Sequence, residues 1–465
     1  MGAGVAVAGG GALVAAAFAL RIPFLNVPLT ADEGGYAEVA RLWAHGASLY
    51  RSDWVDRPQG LVLAFRAALA GGATSLLQLR LVAAAAGAAL VVLVFAIGAT
   101  FGGRRLGLWA AALAATAGAS PYVEGFTLAG ELLASLLASA SILLVLVHRR
   151  RPRLVFLVLA GVAAGCAVMV KQSAFDAAAA TLFVLATERR SGRCRELAVF
   201  ALAAAAPVAT AAAGSGNPAA WYQAVVGYGA HASTTQPLLK SLALAAAAIP
   251  PFALALGPAF VLAFVGWREA PTLLRAWPVA AFVGVCVGGA FHAHYFLQLV
   301  APLSVLAALG ARRLGRRAWP AVAVAAVAAV AAAAPLYALS SRAQAAEIWP
   351  ADTHLLTDAA VAAYVRAHTL PWQPICVIWA AADVYYLADR RPAYPYLWLR
   401  NLQSIPGALA GADRVLSARR PALVVEAQKP QIIDPSGRTS AILRRDYRTV
   451  DEVEGVPILA PRARR

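Results

Sequence analysis

Charge is scarce along this chain: 14% of its 465 residues are Asp, Glu, Lys or Arg, whereas 61% are hydrophobic. Soluble globular domains have about a quarter of their residues charged, and the mean hydropathy of +0.66 lies far above their range. This composition excludes an ordinary soluble protein. It predicts a polytopic membrane protein made of apolar helices.

Acidic residues are fewer than basic ones, 23 against 40, so the formal net charge is +17 and the pI about 10.4. Arginine supplies almost all of the positive charge, and much of the excess lies in short loops between apolar segments. This distribution indicates membrane topology. A nucleic-acid surface would instead need a basic soluble domain with interleaved aromatic residues.

Cysteine is also rare. The four cysteines are Cys166, Cys194, Cys286 and Cys376. No two lie near one another in sequence, and no spacing resembles a metal site, so we expect neither a disulfide framework nor a zinc motif.

Apolar segments recur along the first three-quarters of the chain and predict about eleven membrane spans. They cover residues 3–20, 81–101, 106–119, 129–147, 154–170, 173–186, 197–213, 241–266, 279–291, 295–311 and 319–339. The first segment has no basic residues before it and no small-residue cleavage site ahead of Arg21, so we expect it to remain as a span rather than to be cleaved as a signal peptide.

The arginine clusters all fall in alternate loops. These loops cover residues 102–105, 148–153, 187–196, 266–277 and 311–317, and the third contains Arg189 and Arg190. The loops between them, at 121–130, 214–237 and 291–295, contain no lysine or arginine. By the positive-inside rule the N-terminus is cytoplasmic, and the first loop (21–78) and the C-terminal region lie outside.

Span centres contain almost no charge, which argues against a transporter or ion pump, because those proteins bind their substrates near the bilayer midplane. The polar groups gather instead at the predicted outer ends of the spans. They are Glu124 and Glu131, Lys171 and Gln172, and His292, His294 and Tyr295. Asp176, about one turn deeper, is the exception. A polar cluster at the outer surface suits chemistry on a lipid-linked substrate with an external head group.

Residues 30–60 form the only long polar stretch within the apolar part of the chain. Thr30 and Glu33 have the spacing of a capping box, which predicts a helix beginning here with Tyr36 on its apolar stripe. Asp32 lies on the same stripe, where a carboxylate needs a partner or a substrate. After a turn at residues 45–46 the chain reaches Asp56-Arg57-Pro58, just before the next helix.

From about residue 340 the sequence gains acids, prolines and alternating segments. Helices are predicted at 355–368, 383–388 and 407–418, and strands at 375–379 and 422–426. We therefore divide the chain into a transmembrane domain (1–339) and a small extracytoplasmic α/β domain (340–465).

Several residues match a known pattern. They are Asp32-Glu33, Tyr36-Ala37-Glu38, Ala40-Arg41, Gly46 and Asp56-Arg57-Pro58. This run resembles the first outer loop of the GT-C glycosyltransferases, in the bacterial branch related to protein O-mannosyltransferases, lipid A aminoarabinose transferase and the rhizobial galacturonosyltransferases. The pairs at 171–172 and 294–295 resemble later landmarks of those enzymes, and the segment 379–392 resembles the outer C-terminal domains that some of them have. The sequence departs from the pattern at Gly34-Gly35, where a bulkier and often basic residue is usual, and at Gln59, which replaces a second proline.

The resemblance implies a GT-C membrane glycosyltransferase of the bacterial inner membrane. Its donor would be a polyprenyl-phosphate sugar, its acceptor a hydroxyl of a lipid, glycan or protein, and the transfer would invert the anomeric centre on the outer face. An acceptor hydroxyl needs a carboxylate to deprotonate it, and Asp32 is the candidate, with Glu33 beside it. The anionic lipid phosphate needs cations, for which Arg57 and then Lys171 are the candidates. The candidates for substrate binding are Tyr36, Asp56, Glu131, Gln172, His294 and Tyr295.

Each residue also has a purely structural interpretation. Glu33 would be only the capping acid, Asp32 would only favour the positive helix N-terminus, Asp56 and Arg57 would form a simple ion pair, Lys171 would extend to the interface, and His294 and Tyr295 would be interfacial anchors. No clustered ligand set demands a metal, although a lone acid can share a divalent ion with the donor phosphate. The alternative functions are a transporter or flippase of lipid-linked sugars and a structural scaffold.

Overall fold

The computed structural model describes residues 3–188, 192–234 and 236–463, so Arg189 and Arg190 of the third predicted inner loop lie outside the described residues. Before the C-terminal domain the helices are α1 (Ala3–Ala19), α2 (Ala31–Ala44), α3 (Gln59–Ala70), α4 (Leu76–Gly118), α5 (Gly130–Arg150), α6 (Leu154–Val170), α7 (Asp176–Thr187), α8 (Arg193–Gly214), α9 (Pro218–Tyr222), α10 (Tyr228–Thr234), α11 (Leu238–Gly266), α12 (Thr272–Cys286), α13 (Leu297–Arg313) and α14 (Ala318–Tyr337). Short 3-10 turns and one π turn at Gln223–Gly227 join some of them.

Six helical segments of the described chain are long and apolar enough to cross a membrane. They are Leu76–Gly118, Gly130–Arg150, Arg193–Gly214, Leu238–Glu269, Ala293–Arg313 and Gly315–Tyr337. Five further apolar helices are shorter, among them α6, α7 and α12. The chain is a multi-pass membrane protein, as its composition predicts. The count of eleven spans stays a prediction.

Helix α4 contains two of the predicted spans in one continuous element of 43 residues, about twice the length needed to cross the hydrocarbon core. Gly102 and Gly103 inside it have non-helical dihedral angles, and the φ of Gly103 is +67°. The element therefore bends at the predicted inner loop. The predicted span at 279–291 is wrong at its C-terminal end, because α12 stops at Cys286 and the positive φ of Gly288 and Gly289 turns the chain.

Helix α13 lies at the centre of the membrane part, since every residue from Leu297 to Ala311 is buried. It packs on α11 at two glycines. A Cβ added at Gly310 would lie 1.8 Å from the carbonyl oxygen of Leu262, and one added at Gly266 would lie 2.4 Å from that of Leu306. Only glycine allows the two backbones to approach this closely, as is common between membrane helices.

The arginine-rich loops contact one another in pairs. Arg149 forms an ion pair with Glu188 at 2.8 Å, His148 contacts Glu196 at 3.1 Å, and Arg313 contacts Glu269. These contacts join loops that the sequence places on one side of the membrane. They agree with the predicted grouping, while the cytoplasmic position of the N-terminus stays a prediction.

The first outer loop forms two helices. The predicted capping box is present: the Thr30 side chain accepts a hydrogen bond from the Glu33 amide, and the Glu33 carboxylate accepts one from the Thr30 amide. α2 follows, and after the turn at Gly46, which has φ +92°, helix α3 begins directly behind Pro58. α2 is buried from Glu33 to Ala40, and the C-terminal domain contacts it at Gly34 and Gly35.

The C-terminal domain is the expected small α/β unit. It contains α15 (Ser341–Ile348), α16 (Asp358–His368), β1 (Cys376–Val377), α17 (Asp383–Ala388), α18 (Leu399–Ser404), α19 (Ala408–Ser417), β2 (Val424–Val425), α20 (Arg438–Asp446), β3 (Tyr447–Val453) and β4 (Val456–Pro461). The strand order is β1-β2-β4-β3, in which β1 and β2 are parallel and the other two pairings antiparallel. Helices α15, α18 and α20 and the hairpin β3–β4 are additional to the predicted elements.

Candidate active site

The two acids at the start of α2 have different environments. Glu33 is buried, and its Oε1 accepts a hydrogen bond from the Leu128 amide at 2.8 Å and pairs with the buried Arg80. Asp32 is half-buried, and its Oδ2 accepts a hydrogen bond from the Tyr36 hydroxyl at 3.4 Å. The contacts of Glu33 favour its interpretation as a capping and anchoring acid. Asp32 keeps a carboxylate that faces the pocket described below.

Arg57 lies at the end of the loop, just before α3. Its guanidinium pairs with Asp56 and lies 5.9 Å from the ring of Tyr36. The Tyr50 hydroxyl donates a hydrogen bond to the Arg57 backbone carbonyl at 3.0 Å, and the Gln172 side-chain amide donates one to the Asp56 backbone carbonyl at 2.6 Å. Burial alone would lower the pKa of Arg57, but the neighbouring Asp56 carboxylate raises it well above its usual value. Arg57 is thus a fixed cation on an anchored backbone.

A second group of charges joins the ends of α5 and α6 to the turn before α13. The Lys171 ammonium lies 2.6 Å from Glu131 and 4.5 Å from the centre of the Tyr295 ring. His294 contacts Glu124 through Nδ1 at 3.1 Å and approaches Glu131 through Nε2 at 3.9 Å. Burial would raise the pKa of Glu124, but His294 outweighs this effect and lowers it, so the carboxylate is favoured.

These groups meet in one polar pocket. Seven of the ten predicted site residues line it: Asp32, Glu33, Tyr36, Arg57, Glu131, Lys171 and His294. The other three, Asp56, Gln172 and Tyr295, each contact one of these residues or a direct partner. The pocket has a volume of about 30 Å³, which is room for only one or two water molecules.

A much larger apolar cavity lies near the polar pocket. It has a volume of about 1160 Å³ and lies between residues of α3, α5, α6 and α8. Its lining includes Gln59, Gly60 and Val170, whereas Arg57, Leu61 and Lys171 line the polar pocket. The two linings share no residue, and they come nearest to each other in sequence at the start of α3 and the end of α6. No sequence signal pointed to this cavity, because its lining looks like any other apolar helix surface.

Glu124 and Arg80 were not among the candidates chosen from the sequence, whereas Glu131 was. Both lie at the site, Glu124 in the pocket lining and Arg80 behind Glu33. The signal for Arg80 was available, since it is an arginine outside the predicted inner loops. Asp176, the deep acid, is not in the pocket; it accepts a hydrogen bond from the Trp277 indole at 2.6 Å.

In the polar pocket His294 directs its two nitrogens to different acids, Glu124 and Glu131. Among the described residues, one group of three potential metal ligands converges: atoms of His354, Asp358 and Asp383 lie within 4.8 Å of one another in the C-terminal domain. From the sequence we expected no clustered ligand set. The spacing of four between His354 and Asp358 was the available signal, but their third partner is 25 residues further on.

No protein-family model matches the sequence, and no curated protein is similar enough to count as a relative. Solved structures do match. ArnT from Cupriavidus metallidurans bound to undecaprenyl phosphate is 14% identical with a TM-score of 0.70, and the match covers 100% of this chain and 99% of that one. The chain has the GT-C fold. Another GT-C structure, the oligosaccharyltransferase AglB from Archaeoglobus fulgidus with an inhibitory peptide and a dolichol-phosphate, is 15% identical with a TM-score of 0.58, covering 95% of this chain and 72% of that one.

The same archaeal oligosaccharyltransferase in complex with Zn and sulfate has a TM-score of 0.56 at 15% identity and covers 94% of this chain and 71% of that one. The likeness to ArnT extends over both the membrane part and the C-terminal domain. The GT-C fold was the expectation drawn from the first outer loop, and it is confirmed for nearly the whole chain.

Proposed function

We propose that this GT-C protein is an integral membrane glycosyltransferase. In this proposal it moves a sugar from a polyprenyl-phosphate donor to an acceptor hydroxyl at the outer face of the bacterial cytoplasmic membrane. The observation that carries the proposal is a polar pocket, with the half-buried Asp32 carboxylate and two fixed cations, close to a large apolar cavity. A lipid-linked phosphate sugar has this same division into a charged head and an apolar chain.

Asp32 is the proposed general base. The acceptor oxygen attacks the anomeric carbon on the face opposite the phosphate, its proton passes to the Asp32 carboxylate, and the bond from carbon to phosphate oxygen breaks. The lipid phosphate leaves as an anion and needs no proton, so one carboxylate is enough and the configuration inverts. The Tyr36 hydroxyl, 3.4 Å from Asp32, holds the carboxylate toward the pocket. Glu33 supports this geometry by anchoring α2.

Arg57 and Lys171 are the proposed phosphate ligands. Without substrate each cation is paired with a carboxylate, Arg57 with Asp56 and Lys171 with Glu131 at 2.6 Å. The donor phosphate would therefore replace or share existing partners, which limits the cost of desolvating the half-buried Arg57 and the buried Lys171. The planar guanidinium of Arg57 can bind two phosphate oxygens at once. Gln172 keeps the backbone at Asp56 in place, and Tyr295 keeps the Lys171 ammonium in place.

The apolar cavity is the proposed site of the polyprenyl chain. Gln59 and Val170 of its lining lie two residues and one residue from Arg57 and Lys171 in sequence, and the lining is mostly apolar, with Gln59 and Arg51 among the polar exceptions. The undecaprenyl phosphate bound to ArnT and the dolichol-phosphate bound to AglB are ligands of this chemical kind. The polar pocket of about 30 Å³ is too small for a sugar ring, so the first outer loop must shift when the donor binds.

A single-turnover assay tests the proposal. The purified protein in lipid nanodiscs is mixed with a panel of undecaprenyl-phosphate sugars, and wild type is compared with Asp32→Asn. We expect product from wild type with at least one donor and a loss of about 100- to 10,000-fold in the variant, while donor binding persists. Asp451→Asn, on the exposed strand β3, is the matched control and should transfer sugar normally.

Full transfer by Asp32→Asn would remove Asp32 from the mechanism. If no donor gives product and the protein instead moves the labelled lipid across the bilayer, the flippase hypothesis replaces the enzyme.

A further inference from the structure

Three potential metal ligands meet in the C-terminal domain, outside the proposed transfer site. His354 belongs to the 3-10 turn Thr353–Leu356, Asp358 is the first residue of α16, and Asp383 is the first residue of α17. One ligand atom of each lies within 4.8 Å of the other two. The His354 Nδ1 atom is 2.6 Å from Asp358 Oδ2.

The Asp383 side chain provides the second observation. Its residue is 1% exposed, and its Oδ1 is buried with no hydrogen-bond partner. Asp358 is 3% exposed, and among the described residues neither carboxylate forms an ion pair with a lysine or arginine. Two buried carboxylates side by side are costly unless a proton or a cation lies between them.

We propose that His354, Asp358 and Asp383 bind a divalent transition-metal ion of the zinc or manganese type. An imidazole nitrogen with two carboxylate oxygens suits these ions, whereas calcium and magnesium prefer oxygen ligands alone. Three protein ligands leave at least one position to water. On binding, the ion replaces the hydrogen bond between His354 and Asp358 and the proton held by the carboxylate pair, so binding releases protons.

The position of the site indicates a structural role toward α2. A Cβ added at Gly34 would lie 2.3 Å from the Cβ of Asp383, so the two residues are in direct contact. Gly34 is two residues after Asp32. An ion bound to Asp383 therefore joins α16 to α17 and fixes α17 on the helix that carries the proposed base. The inference goes beyond sugar transfer and does not depend on it, because metal binding is measured without any donor.

The test uses the full-length protein in nanodiscs after removal of metal by chelation. Zn²⁺ is titrated by calorimetry with detection of released protons, bound metal is counted by mass spectrometry, and Co²⁺ provides a visible absorption signature. Wild type should bind one ion at this site, and Asp383→Asn and Asp358→Asn should each weaken binding by at least about tenfold. Asp413→Asn, a buried acid of α19 that accepts a hydrogen bond from Thr439 at 2.8 Å, is the control and should bind normally.

Hydrogen–deuterium exchange provides a second measurement. Zn²⁺ should protect α16, α17 and α2 in wild type and leave all three unchanged in Asp383→Asn. If that variant does not fold, His354→Gln, at the rim of the site, replaces it with the same expected loss. Wild-type protein that binds neither Zn²⁺ nor Mn²⁺ would overturn the proposal. So would an ion that remains in Asp383→Asn and is lost in Glu131→Gln, because it would then belong to the polar pocket.

Discussion

The contact between α2 and the C-terminal domain leads to a sharp prediction at Gly34. A Cβ built on Gly34 would lie 2.3 Å from the Cβ and 2.4 Å from the Cα of Asp383. Side-chain Cβ atoms essentially never approach other atoms within 3.0 Å. In Gly34→Ala, therefore, α17 must move away from α2. The nearest atoms are the Cβ, Cα and carbonyl carbon of Asp383, whose positions are fixed by the backbone, so no rotation of a flexible side chain can relieve the clash.

The magnitude follows from the cost of overpacking. Adding a methyl group to a well-packed contact costs about 1 to 3 kcal/mol, and the backbone clash places Gly34→Ala at the upper end. About 3 kcal/mol corresponds to roughly a 100-fold larger population of the separated state. Gly35→Ala should cost less, because its added Cβ would meet the end of the Trp398 ring at 2.4 Å, and a side chain can shift.

The assay is hydrogen–deuterium exchange of peptides from α2 and α17, together with the melting temperature. Gly10→Ala in α1 is the matched control, since nothing lies within 4 Å of its added Cβ, and an alanine there should be neutral or slightly stabilising. The expected order of exchange is Gly34→Ala above Gly35→Ala above Gly10→Ala. Equal protection in Gly34→Ala and Gly10→Ala would refute the argument that the C-terminal domain rests directly on the loop helix.

Three further predictions concern charges of the first loop. Arg57→Lys keeps the charge but loses the two-pronged contact, so the KM for donor should rise about tenfold or more in the transfer assay; an unchanged KM would remove Arg57 from phosphate binding. Glu33→Gln leaves the buried Arg80 without its counter-ion and should destabilise the fold by about 3 to 5 kcal/mol, whereas the double variant Glu33→Gln/Arg80→Met should melt higher than the single one. Burial, and then the charge of Glu38, raises the pKa of Asp53 from 3.8 to about 8. The folded protein therefore holds this proton more tightly than the unfolded chain, so protonated Asp53 stabilises the fold below about pH 4 and this stabilisation is lost as the pH rises to about 8. The melting temperature should fall less over that window in Asp53→Asn than in wild type, and parallel curves for the two proteins would contradict this.

Much of the membrane fold follows from the sequence because it depends on local composition. Apolar runs and arginine-rich loops are sufficient to separate the spans, and α6 covers the predicted 154–170. The hairpin β3–β4 was missed because β3 is exposed over most of its length and carries charges, so it lacks the alternating apolar pattern of a half-buried strand. Its turn at Glu454 and Gly455, both with positive φ, was the available signal.

The site was predictable as a set of residues but not as a set of contacts. Polar residues stand out in an apolar chain, and most of those singled out line one pocket. Their pairing depends on helix packing: Glu33 meets Arg80 across 47 residues, and Glu124 meets His294 across 170. No local pattern contains that information. The apolar cavity was equally hidden, since it is defined by the space between helices rather than by residue type.

The two departures from the GT-C loop pattern, at Gly34-Gly35 and at Gln59, are explained by local packing and hydrogen bonding. Gly34 and Gly35 touch Asp383 and Trp398, so a bulky residue there would push the C-terminal domain away. Gln59 donates a hydrogen bond to the Ala211 carbonyl at 2.8 Å and accepts one from the Trp221 indole at 2.6 Å, contacts that a proline could not make. None of the three lines the polar pocket, although Gln59 lines the apolar cavity. Gly34 and Gly35 therefore allow the C-terminal domain to pack on the loop helix, and Gln59 forms part of the wall of the cavity proposed for the lipid. Neither difference alters the charged groups proposed for the transfer itself.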